Sequence, residues 1–138
     1  MKILVTGGTG FIGSHTVVEL QNNGYEVIII DNLSNSDANT IDSIQKITGI
    51  RPSFKELDLI DRDKTKEFFL KNQDLKGVIH FAAYKAIGES VKDPLLYYRN
   101  NIVSLLNVIE GMDYSNTPSI VFSSSCSVYG HAIKLPVS

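Results

Sequence analysis

The chain has 138 residues, 43% apolar and 20% charged, which is enough apolar material for one core and too much for a long disordered tract. Thirteen Lys and Arg against fifteen Asp and Glu leave a net charge of −2 with no basic run, so the electrostatic footprint of sequence-independent nucleic-acid binding is missing. The longest apolar runs, such as residues 27–30, are far shorter than the ~20 residues a bilayer span requires, and no membrane crossing is expected.

Residues 2–6 form a short strand-like run that ends in a glycine cluster. Lys2 ahead of three apolar residues imitates the start of a signal peptide, but Thr6 and two glycines end the run, so a cytoplasmic location is expected. From residue 11 the pattern becomes helical until Gly24, which is placed to close a helix C-terminus. Residues 26–30 follow as a strand without alternation, the pattern of a strand covered on both faces in a parallel sheet. A polar stretch over 32–39 precedes a short helix over 40–48, with Ile41, Ile44 and Ile47 at three-residue steps and Gly49 at its end. Residues 54–57 read as a third strand, and Asp61 can cap a helix running to Lys71 with Phe68 and Phe69 turned inward. Residues 77–81 supply a fourth strand. Asp93 and Pro94 are a strong helix start, and Leu95, Tyr98, Ile102, Leu105 and Ile109 recur at three- and four-residue steps along the longest predicted helix. Residues 119–123 give a fifth strand, followed by a serine-rich segment.

Strands alternating with helices predict an α/β fold of the Rossmann type, a doubly wound parallel sheet of about five strands. Ligands of such sheets bind beyond the carboxyl ends of the strands, which directs attention to residues 7–13, 31–36, 58–59, 81–85 and 123–127. In the first of these, Gly7, Gly8, Gly10 and Gly13 stand between a strand and a helix. Glycines there let the backbone turn sharply and approach a pyrophosphate, whose charge the unpaired N–H groups and the positive end of the helix dipole stabilise. Asp31 ends the second strand eighteen residues beyond Gly13, where a carboxylate can accept both hydroxyls of an adenosine ribose. No Arg or Lys stands among Asn32, Leu33, Ser34, Asn35 and Ser36, so NAD is favoured over NADP. The single cysteine, Cys126, and the scattered His15, His80 and His131 lack metal-ligand spacing, and no metal is expected.

With Thr6, Gly7, Gly10 and Gly13 in the pattern T-G-x-x-G-x-x-G, the chain resembles the extended short-chain dehydrogenase/reductase family. Residues 31–36, 81–90 and 122–130 are similar to its UDP-hexose 4-epimerase branch, the run Lys85-Ala86-Ile87-Gly88-Glu89-Ser90 being the most specific. The resemblance implies that Phe11 and Ile12 line the pyrophosphate of NAD and that residues 31–36 hold the adenosine ribose and its phosphate. It further implies that Asp58 and Leu59 flank the adenine, and that Phe81, Ala82, Ala83 and Tyr84 form the floor beneath the cofactor. Lys85 would reach the nicotinamide ribose. Asn100 would contact the cofactor from the long helix, although beside Ser104 and Asn107 it could equally mark that helix's exposed face. Ser125 matches the family's catalytic serine, and Ser127 offers the substrate a second hydroxyl where the family often has Thr. The branch interconverts UDP-glucose and UDP-galactose with tightly held NAD and commonly forms homodimers through two helices per subunit, one of them near residues 93–111.

The family's catalytic pair, Tyr-x-x-x-Lys, is missing: none of the nine lysines from Lys46 onward has a tyrosine four residues before it. The expectation is therefore an incomplete NAD-binding domain over residues 1–138, an N-terminal piece without its UDP-sugar domain, inactive alone and with an apolar fifth strand at its edge. Two other readings stay open, a dehydratase or decarboxylase acting on another nucleotide sugar and a non-catalytic NAD-binding module.

Overall fold

The computed structural model describes residues 1–125, 128 and 130. Strand and helix alternate as β1 (Lys2–Thr6), α1 (Phe11–Asn22), β2 (Glu26–Asp31), α2 (Asn39–Thr48), β3 (Ser53–Glu56), α3 (Arg62–Lys71) and β4 (Leu75–His80). Then come α4 (Ile87–Lys92), α5 (Pro94–Tyr98), a wider π-helical turn over Arg99–Val103, α6 (Ser104–Ser115) and β5 (Ile120–Phe122). All strand pairs are parallel, in the order β3-β2-β1-β4-β5, with Val5 opposite Ile29 on one side and Ile79 on the other. The chain therefore leaves the central strand first toward β2 and later toward β4, and its helices fall on both faces.

The unalternating apolar runs are explained by this double cover. On one face Leu4, Ile28, Ile30 and Val78 pack with Phe68 and Phe69 of α3 and with Val108 and Met112 of α6. On the other, Val5, Val27 and Ile29 pack with Val17 of α1 and Ile44 of α2. Asp61 caps α3 by accepting from Lys64 N–H at 3.1 Å. The side-chain ammonium of Lys64, foremost among the causes, holds the Asp61 carboxyl below the ordinary carboxylate range.

The long helix departs from expectation in two respects. It is interrupted by the π turn, and α4, which the sequence does not suggest, precedes it. Its polar side faces inward: Ser104 and Asn107 are buried with Val108, Gly111, Met112 and Ser115, whereas Leu95 and Tyr98 are each 64% exposed and Ile102 and Ile109 are also exposed. The physical reason is the turn following β3, whose carbonyls need donors. Asn107 Nδ2 donates to Leu59 O at 2.7 Å and to Ile60 O at 3.2 Å. Replacing Asn107 by Leu leaves Leu59 O with only the longer bond from the Thr65 hydroxyl at 3.4 Å and is expected to lower unfolding free energy by about 1 kcal/mol, read from urea denaturation at neutral pH. Among the described residues no helix is long and apolar enough to cross a membrane.

Candidate functional site

At the end of β1 the chain turns through Gly7, whose φ of +68° is a left-handed conformation that side chains rarely adopt. Gly7 N–H donates to Ile30 O at 2.8 Å, and Gly10 N–H donates back to Gly7 O at 3.1 Å. The loop is packed against backbone on two sides. A Cβ on Gly7 would stand 2.8 Å from Ala82 N, and one on Gly13 would stand 2.2 Å from Gly7 O. Helix α1 then begins with no side-chain cap and no acidic residue in its first turn. Its leading N–H groups and the positive end of its dipole therefore suit an anion, which is the fit a pyrophosphate requires.

Asp31 leaves β2 beside this loop and is held by both. Its Oδ2 accepts from Thr9 N–H at 3.2 Å, and its Oδ1 accepts from Leu33 N–H at 3.0 Å and from the Ser36 hydroxyl at 3.1 Å. Thr9 and Ser36 join their hydroxyls at 2.7 Å. Leu33 reaches Asp31 by adopting a φ of +57°, so residues 31–36 fold back as a tight polar cup. Thr9 was not distinguishable in the sequence, because it contributes a main-chain N–H from a variable position of the glycine motif. Beyond β3, Asp58 Oδ1 accepts from Ile60 N–H at 3.1 Å and fixes the adjoining wall.

The opposite wall rises from β4. Phe81 N–H donates to Thr6 O at 3.0 Å, Ala82 N–H reaches Thr6 Oγ1 at 3.4 Å, and Thr6 Oγ1 lies 2.8 Å from His80 Nδ1. His80 is buried and stacked on Phe122, and among the described residues its Nε2 has no partner. Burial pushes its pKa down to about 4, so the ring is neutral at physiological pH. Further along, Tyr84 is paired with Asn101 and Ala86 with Tyr97. Desolvation, followed by the neighbouring Glu89, raises the Tyr97 hydroxyl above its ordinary value and keeps it protonated.

These walls enclose a cleft of about 740 Å³ at the carboxyl ends of the strands, where the strand order reverses around β1. Of the residues singled out from the sequence, Gly7, Ile12, Gly13, Asp31, Asn32, Ser34, Asn35, Ser36, Asp58, Leu59, Phe81, Ala82, Ala83, Tyr84, Lys85, Asn100 and Ser125 line it together. Gly10, Phe11 and Leu33 do not, Phe11 being 78% exposed at the head of α1. Ser127, Cys126 and Tyr129 lie outside the described residues. The lining also includes Ile87, Ser90, Tyr97, Asn101 and Ser104, which sequence reasoning missed. A signal for three of them existed. Tyr97, Asn101 and Ser104 share the helical face of Asn100 at four- and three-residue steps, a polar stripe overshadowed by the apolar one.

Residues 3–137 match the NAD dependent epimerase/dehydratase family. The chain is 49% identical over 138 residues to the UDP-glucose 4-epimerase of Bacillus subtilis strain 168, covering 100% of this chain and 40% of that protein. It is 50% identical over 128 residues to a UDP-glucose 4-epimerase of Schizosaccharomyces pombe, covering 93% of this chain and 36% of the relative. Its fold superposes with a TM-score of 0.93, at 43% identity, on the Stenotrophomonas maltophila UDP-glucose 4-epimerase with bound NAD and formylated UDP-arabinopyranose, covering 99% of this chain and 40% of that one. The Bifidobacterium longum UDP-glucose 4-epimerase in complex with NAD+ and UDP gives the same score at 42% identity, covering 99% and 41%. The chain thus spans about two-fifths of the length of these relatives. A match through almost every described residue, joined to a glycine loop, an acidic second-strand end and a cleft at the strand-order reversal, places the chain in the NAD dependent epimerase/dehydratase family.

Proposed function

We propose that residues 1–138 are the NAD-binding domain of a UDP-glucose 4-epimerase. The observation that carries this reading is the joint between Asp31 and the glycine loop, made through Thr9 N–H, which puts a ribose acceptor beside an uncapped helix start. In it, Gly7, Ile12 and Gly13 hold the pyrophosphate at the uncapped start of α1, and Asp31 with Asn32, Ser34, Asn35 and Ser36 holds the adenosine ribose. Asp58 and Leu59 border the adenine. Phe81, Ala82, Ala83 and Tyr84 form the floor, and Lys85 and Asn100 secure the nicotinamide end. When bound, NAD supplies a hydride acceptor and donor for C4 of the hexose. Ser125 hydrogen-bonds the hydroxyl at that carbon, and Ser127 offers a second donor to the sugar. The carboxylate of Asp31, with no Arg or Lys among residues 32–36, disfavours a 2′-phosphate, which supports NAD over NADP. The exposed apolar side of α5 and α6 supports a homodimer through this helix, and the absence of a long apolar helix among the described residues is compatible with a cytoplasmic enzyme.

Isothermal titration calorimetry with NAD+ and NADP+ tests the reading. Asp31→Asn keeps the side chain's shape but removes its charge, and is expected to weaken NAD+ binding about 10-fold and to narrow the preference over NADP+. Equal affinity of the wild-type chain for both nucleotides, or an unaffected Asp31→Asn variant, would overturn it. The 138-residue chain is expected to bind NAD+ and to leave UDP-galactose unchanged, so conversion of UDP-galactose to UDP-glucose by this chain would eliminate the reading of a non-catalytic binding module.

A further inference from the structure

Residues 81–86 carry no regular secondary structure, yet Lys85 in their midst lines the cleft. Both of its chain neighbours are tied by side chains of the facing helix. The Asn101 carboxamide accepts Tyr84 N–H at 2.8 Å and donates to Tyr84 O at 2.9 Å, mimicking a strand partner. One helical turn earlier, the Tyr97 hydroxyl accepts Ala86 N–H at 3.1 Å, and its single proton faces Ala86 O at 3.0 Å and a Glu89 carboxylate oxygen at 2.7 Å. The Tyr84 and Tyr97 rings approach to 5.8 Å between centroids and close the space between the two ties.

We propose that Tyr97 and Asn101 are positioning residues for Lys85, fixing the main chain on either side of it so that its ammonium is presented to a bound dinucleotide. The inference rests on Lys85 contacting NAD. A lysine has four rotatable side-chain bonds and gives up much freedom when it makes a directed contact, so an unanchored main chain would add to that loss. Two ties, one on each residue flanking the lysine, remove the main-chain part beforehand, which is preorganisation.

The test is a double-mutant cycle on the 138-residue chain, read as the Kd for NAD+ by calorimetry. Lys85→Ala is expected to weaken binding about 10-fold, the cost typical of losing a hydrogen bond to a charged group. Tyr97→Phe, which removes one oxygen and retains the ring, is expected to weaken it about fourfold with lysine present and not at all in the Lys85→Ala background, the signature of coupled residues. Asn101→Leu removes both bonds to Tyr84 at similar size without adding charge, and it provides an independent second cycle with the same expected pattern. Equal losses with and without the lysine would overturn the positioning role and leave both residues as supports of the loop. A Lys85→Ala variant that binds like wild type, while Asp31→Asn still weakens binding, would instead remove Lys85 from the nucleotide site and the proposal with it.

Discussion

Replacing Gly13 by alanine is expected to eliminate measurable NAD+ binding and to lower unfolding free energy by about 3 kcal/mol, at the upper end of ordinary overpacking. The added Cβ would stand 2.2 Å from Gly7 O and 2.9 Å from both Gly7 C and Gly8 Cα. Every one of these neighbours is backbone, so no side chain can swing away. Either α1 slides along its axis or the loop opens, and both break the Gly10-to-Gly7 bond and the seat of Thr9 against Asp31. Gly88→Ala is the control. A Cβ there meets nothing within 4 Å, and the position is helical, so alanine is expected to be neutral or slightly stabilising. Urea denaturation and calorimetry of both variants decide the matter. A Gly13→Ala chain that binds NAD+ normally would show that the loop does not hold the nucleotide.

Acidification from neutrality to about pH 4 is expected to destabilise the fold by about 3 kcal/mol through His80 alone. Folded His80 resists protonation down to about pH 4, whereas the unfolded chain takes up that proton near the ordinary value of 6.5. Between those values the unfolded state binds more protons, so stability is full above the unfolded pKa, falls with pH through the window and levels off below it. The carboxylates of Asp61, Glu67 and Asp74 are held low by lysine partners and lose their contributions as pH falls through their lowered folded pKa values. His80→Phe preserves the aromatic stack on Phe122 and has nothing to titrate. Its unfolding free energy should change little between pH 6.5 and 5, where the wild type declines. Parallel declines in the two proteins would place the acid sensitivity elsewhere.

The parallel sheet was legible because a strand covered on both faces must be apolar at consecutive positions, as residues 27–30 are, and because short helical periods separate such runs. The glycine-loop end of the cleft was legible for a similar reason. Glycine spacing and a strand-end carboxylate are local features whose chemistry does not depend on distant neighbours. Features that depend on what lies across a gap were not. Asn107 inside and Leu95 outside invert ordinary amphipathic logic, and the Leu59 and Ile60 carbonyls, to which the Asn107 amide donates, explain the buried Asn107. Tyr97 and Asn101 become informative once their partners, 11 and 17 residues away in the chain, are known. Thr9 acts through an atom that every non-proline residue possesses.

The π turn at Arg99–Val103 has a mechanical meaning of its own. It stores surplus backbone within a helix, and each residue of an α-helix advances the azimuth by about 100°. Downstream of it, α6 is indexed to the core by Val108 and Met112, while upstream α5 carries Tyr97 toward Ala86. Removing one residue from the turn would leave a tidier helix whose upstream half is rotated by roughly a quarter-turn or more relative to the downstream half. A length change here is thus a change of phase, and the segment works as a fixed angular offset that lets one rod serve two surfaces facing in different directions.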